Sequence, residues 1–117
     1  MKKSNKSYVI PEKVIHPKTK LSIKGILYDG EWNNFAIALA SWNEQTCLVI
    51  RWNGNESKPL GSPTSHGKPT WFVIPKELEK YILNFLCYDN LSYKHNPYCN
   101  EKVLREAVQW KESESIY

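Results

Sequence analysis

The chain has no Cys-x-x-Cys pair, no Gly-x-Ser-x-Gly elbow, and neither a Walker loop nor a dinucleotide-binding glycine fingerprint. Only three cysteines occur, at positions 47, 87 and 99. An odd count without a close pair argues against a disulfide framework and for reduced thiols. Cys87, His95 and Cys99 stand close in sequence but lack the short knuckle that zinc sites use, so no metal is expected. Without a nucleotide or phosphate loop, no cofactor is expected either. No segment approaches the ~20 apolar residues of a membrane helix. The Lys-rich start lacks the apolar run of a secretory signal. These absences predict a cytoplasmic protein with no membrane partner.

Aromatic residues are abundant. Five Trp, seven Tyr and three Phe make up 13% of the 117 residues, within an ordinary 41% hydrophobic and 24% charged composition. Such rings can fill a core or form a stacking platform. The net charge of +4 is unevenly spread. Residues 1–24 hold seven Lys against one acid, a net of +6, whereas residues 25–117 hold nine basic against eleven acidic residues, a net of −2. A basic arm suits a polyanionic partner. The expected organisation is a basic N-terminal arm over 1–20 and a single domain over 21–117.

Apolar periodicity places the elements. LSIKGILYDG (21–30) alternates as a strand and ends on an Asp-Gly turn signal. FAIALASWN (35–43) is apolar on both faces, which predicts a central, covered strand whose Ala row admits a helix closely. A short polar break leads into TCLVIRWNG, so 35–42 and 46–52 form an antiparallel hairpin with Trp42 and Trp52 at opposite ends. The Pro- and Gly-rich stretch 55–70 shows no period and reads as a functional or mobile loop. WFVIP (71–75) reads as a fourth strand. Pro75 opens a helix with Leu78, Tyr81, Ile82, Phe85 and Leu86 on one stripe. Leu83 and Cys87 widen that stripe enough to cover the sheet and still touch a second surface, such as a dimer seam. Asn100 caps a final helix, EKVLREAVQWKE. The fold class is α+β: a four- to five-stranded antiparallel meander covered by one helix, plus a C-terminal helix.

Chemistry-bearing residues fall in the loops. Ser65, His66 and Cys99 supply nucleophile and base types, and His66 or His95 with Lys68 or Arg51 could serve a small ribonuclease. No signature orients them, so the balance leans away from an enzyme. For single-stranded nucleic acid, the candidate residues are Lys24, Arg51, Lys58 and Lys68 for phosphates with Trp52 and Trp71 for bases.

Ser41-Trp42-Asn43, then Ile50-Arg51-Trp52, then Gly67-Lys68 with Pro75 eight residues beyond Gly67, leading straight into PKELEKYILNFL, make up a recurring order of motifs. In this order residues 35–88 resemble the positive cofactor 4 family of transcriptional coactivators and its bacterial single-stranded-DNA-binding relatives. The pattern's neighbouring Lys and second Gly are here Pro69 and Thr70, and the helix aromatic is Leu78. The resemblance implies a curved four-stranded sheet and a helix, a homodimer, and single-stranded DNA held through Arg51, Lys68 and Trp52. The resulting expectation is a non-enzymatic module that binds single-stranded DNA or RNA in transcription or replication. The alternatives are a protein-interaction module working through its aromatic surface and Pro-rich loop, and the ribonuclease.

Overall fold

The computed structural model describes residues 8–92 and 97–114. Three long elements carry the sheet: β1 (Leu21–Asp29), β2 (Phe35–Trp42) and β3 (Gln45–Trp52). A two-residue hairpin follows, β4 (Thr64–Ser65) with β5 (Lys68–Pro69), and then the short β6 (Phe72–Val73). Helix α1 spans Lys76–Ser92 and α2 spans Glu101–Glu114. The main sheet has the order β1-β2-β3-β6, antiparallel throughout. The α+β reading therefore holds, with one helix beside the sheet and a second at the C-terminal end.

Local chemistry accounts for the boundaries. Asn43 and Glu44 both take positive φ, at 50° and 68°, which is the two-residue turn whose twist suits an antiparallel hairpin. Pro75 stands immediately before α1, and Glu77 and Glu79 occupy its first turn at the positive end of the dipole. Asn100 caps α2, its Oδ1 accepting from the Val103 N–H at 3.2 Å. Two irregularities in β1, at Ile23/Gly25 and Ile26/Tyr28, bend that edge strand.

Both faces of the sheet are buried. On the helical face Leu27, Ile37, Leu39, Leu48 and Ile74 meet Leu83 and Leu86 of α1 and Val103, Leu104 and Ala107 of α2. Glu79 is buried here too. Its Oε1 accepts from Lys111 Nζ at 2.7 Å and its Oε2 from the Leu48 N–H at 3.4 Å, so one carboxylate joins α1, α2 and β3.

On the other face the row Ala36, Ala38 and Ala40, with Cys47 and Val49, is covered by Val9, Val14 and Trp71. The expectation that a helix lies against the Ala row is thus corrected: residues from the N-terminal stretch take that place. The small Ala side chains bring the strand close to a segment that includes a single 3-10 turn at Pro11–Lys13, and the helices' larger Leu and Val side chains fill the opposite face. The Trp71 indole N–H donates to the Val14 carbonyl at 2.7 Å, and Thr70 Oγ1 donates to the His16 carbonyl at 2.8 Å. Residues 8–20 of the expected arm are therefore seated on the sheet, and 1–7 lie outside the described residues.

Candidate interaction surface

Strand register decides which rings share a side. Phe35 pairs with Trp52, Ile37 with Ile50, and Ile50 in turn with Phe72. Opposed residues of an antiparallel pair project to the same face, so Phe35, Ile50, Trp52 and Phe72 lie on the helical face with Ile37. Helix α1 covers only part of that face. Leu83, Leu86 and Glu79 turn inward, while Leu78, Tyr81 and Phe85, at i, i+3 and i+7, remain about half exposed.

Between helix and strands lies a groove of about 300 Å³, lined by Phe35, Ile37, Ile50, Trp52, Phe72, Ile82 and Phe85, with Arg51 contributing to the wall. Trp52 is 57% exposed, Phe72 60% and Phe85 52%. The Trp52 ring is held by its neighbours: Phe35 stands edge-on to it with centroids 6.2 Å apart, and Phe35 in turn stacks on Tyr28 at 4.9 Å. Isolated surface apolar residues need no explanation, but a contiguous aromatic face marks an interaction site.

The six residues singled out for nucleic acid are dispersed. Trp71 is buried on the opposite face and presents no ring to solvent. Arg51 shares that face with Ala36 and is 1% exposed. Its two terminal nitrogens donate to the carbonyls of Thr70 and Leu60. Burial pushes its guanidinium down to about 10. Lys24 is on edge strand β1, its Nζ donating to Thr46 Oγ1 at 2.9 Å. Lys68 is on the small β4–β5 hairpin. Trp52 and Lys58 line an open groove of about 340 Å³, with Asn33, Asn55 and Ser62 on its walls.

The Pro-rich stretch 55–70 has a definite course. Trp52 and Ser62 exchange two backbone hydrogen bonds, at 2.7 and 3.1 Å. Gly61 takes φ +67°, and a Cβ there would stand 2.0 Å from the Trp52 carbonyl oxygen and 2.6 Å from an Arg51 nitrogen. The loop folds over Arg51 because position 61 has no side chain.

Catalytic groupings are sparse. Ser65 Oγ lies 3.3 Å from His66 Nδ1 on the exposed hairpin, and no third side chain is hydrogen-bonded to His66 among the described residues. His95 lies outside the described residues. Among the described residues, no group of three or more His, Cys, Asp or Glu is placed to hold a metal ion, and no helix is long and apolar enough to cross a membrane. Burial raises the Cys47 and Cys87 thiols, the reverse of what an attacking thiolate needs.

Sequence reasoning missed Phe72 as a surface ring. The width of the α1 stripe, with apolar residues at 78, 81, 82, 83, 85 and 86, is the signal that already points to a second surface beside the sheet. No family model matches the chain, and no curated protein or solved structure matches it either.

Proposed function

We propose that this chain is a non-enzymatic protein-interaction module whose working surface is the aromatic face between α1 and β6. The single observation that carries the reading is the groove whose exposed walls are Trp52, Phe72 and Phe85, continuous along α1 with Tyr81 and Leu78. Rings rigidly held by neighbours offer large contact area at low entropic cost, which is why aromatics dominate binding hot spots. Of the four cations that a polyanion would need, Arg51 is buried, Lys24 lies on another strand and Lys68 on another hairpin, which leaves Lys58 beside the Trp52 ring.

A panel of polar peptides, each with a single Trp, Phe or Leu anchor, tests the reading against the chain at submicromolar concentration. Anchored peptides are expected to bind with little dependence on salt. Trp52→Ser and Phe72→Ser should each weaken binding by ~30-fold, the size of an aromatic hot spot. No binding by any anchored peptide, or binding indifferent to both substitutions, overturns the reading.

Single-stranded nucleic acid is the second reading, favoured by one observation: Lys58 beside the exposed Trp52 indole. It requires oligonucleotide affinity that falls steeply with salt and is lost in Trp52→Ser. That result in the same assay would replace the first reading.

A further inference from the structure

Resting on the interaction-module reading, we infer that the partner of the aromatic face is the free C-terminal end of a polypeptide. Its carboxylate is held beside Lys58, and its apolar last residues lie across Trp52 into the aromatic groove. Two grooves meet at Trp52. One is the apolar groove walled by Phe35, Phe72 and Phe85. The other is the polar groove of about 340 Å³ walled by Asn33, Asn55, Lys58 and Ser62. The half-exposed Trp52 ring is a wall of both.

Hydrogen bonding inside the loop decides what the polar groove can take. The Ser57 and Lys58 backbone N–H groups can only donate, and both meet one side-chain atom of Asn55, at 3.0 and 2.9 Å. That atom is therefore the amide oxygen. The Asn55 amide nitrogen is left to donate to Asn33 Oδ1 at 2.9 Å, which fixes the orientation of Asn33 in turn. Both amide oxygens are thus engaged within the loop. What remains is a set of donors: the Asn33 amide nitrogen, the Trp52 indole N–H and the Lys58 ammonium have no hydrogen-bond or ion-pair partner among the described residues. The Ser62 hydroxyl serves in either sense. Lys58 is the one charged side chain on the walls. A groove with a cation and spare N–H groups, and with its amide oxygens already occupied, takes an acceptor-rich anion.

The groove is shaped before a ligand arrives. A Cβ at Gly54 would stand 2.6 Å from the Lys58 carbonyl oxygen and 2.8 Å from the Gly61 nitrogen, so the loop packs backbone on backbone. The same carbonyl accepts from the Asn55 and Gly61 N–H groups at 3.0 and 2.9 Å. Lys58 therefore holds the loop through its backbone, which leaves its ammonium to the ligand. Donors placed in advance reduce the ordering cost of binding.

A chain end fits both grooves at once. The occupant needs one negative, acceptor-rich group joined directly to apolar bulk, because the polar groove offers one cation and the two grooves share one ring. In a C-terminal residue the α-carboxylate and the last side chain stand on the same carbon, and the residues before it can continue along the apolar groove. Capture of a terminal carboxylate by clustered N–H donors is one of the recurring ways in which peptides are recognised. A polynucleotide instead needs a track of cations for successive phosphates, and Lys24, Arg51 and Lys68 do not supply one here.

Short peptides labelled at the N-terminus and ending in Trp, Phe or Leu test the inference, each made once as the free acid and once as the C-terminal amide. Fluorescence anisotropy against the full chain reads the affinities. The free acid should bind ~10-fold or more tightly than the amide, the size of a charge-assisted hydrogen bond. Lys58→Gln should remove that preference while affinity for the amide stays near that of the wild type. Lys68→Gln, on the separate β4–β5 hairpin, should change neither. Trp52→Ser should weaken acid and amide alike. Acid and amide binding equally to the wild type, or a preference that survives Lys58→Gln, overturns the inference and leaves the interaction-module reading standing. An amidated peptide ending in Asp-Leu that matches the free acid also overturns it, because the anion then need not be the end of a chain. Binding by neither form removes both.

Discussion

Replacing Trp71 by Ala tests the two-sided architecture most directly. The indole is 3% exposed, packed between the Ala row of β2 and the segment around Val14. Deleting a buried Trp costs about 3–5 kcal/mol through lost contacts and the cavity left behind. Part of that sum is the N–H bond to the Val14 carbonyl, for which a typical net value is ~1 kcal/mol and whose loss leaves a buried acceptor unpaired. With a urea m-value of about 2 kcal/mol per molar, a loss near 4 kcal/mol moves the unfolding midpoint down by ~2 M. Trp71→Phe keeps a ring but loses the donor, so a smaller loss of about 1–2 kcal/mol is expected. It supplies the reading if the Ala variant is largely unfolded in water. Urea titrations followed by far-ultraviolet circular dichroism measure both. Midpoints within ~0.3 M of wild type for both variants, less than the loss of one buried hydrogen bond, would refute the buried placement and return Trp71 to the set of surface rings.

Two further predictions concern the helical layer. A Cβ at Gly25 would stand 2.8 and 3.0 Å from the Val103 methyl carbons of α2, so Gly25→Ala should cost about 1–3 kcal/mol by overpacking. Val103→Ala should recover part of that loss, and equal, additive losses in a double-mutant cycle would refute the contact. The second concerns acid. Burial alone would raise the Glu114 carboxyl, but the hydrogen bond from Lys111 and the charges of Lys76 and Lys111 outweigh it and hold it below the ordinary value of 4.5. A group depressed on folding stabilises above its unfolded pKa, and that contribution disappears as pH falls through the folded pKa. Glu114→Gln should therefore lower stability at neutral pH and converge with wild type in acid. The difference should stay under ~1 kcal/mol because the side chain is a third exposed. A gap that widens in acid has the wrong sign and would sink the assignment.

Much of the fold was legible. Alternation in 21–30, the run apolar on both faces in 35–43, the polar break at Asn43-Glu44, Pro75 before the helix and Asn100 before the last one are local signals, and each places an element of the fold. Burial was harder to read. Trp52 and Trp71 are both tryptophans at strand ends, yet one is exposed and the other covered. The difference is set by residues 8–20 lying on one face and by α1 stopping short of one end of the other, and both are long-range facts. Arg51 in a strand looks like a free cation until the loop closes on it, and that closure depends on Gly61, nine to ten residues distant along the chain from the groups it meets. Glu79, set in the charged stretch Lys76-Glu77-Leu78-Glu79-Lys80, found its cation 32 positions away on α2. Charge patterns could not show this pairing because no local spacing encodes it.

The clasp between Trp71 and Val14 spans 57 positions, and this has a consequence for synthesis. Emerging from the ribosome, the N-terminal stretch waits for Trp71 until 57 further residues have been made. During that interval the Ala side of the nascent hairpin lacks its indole cover, and transiently exposed apolar surface of this kind is what chaperones shield.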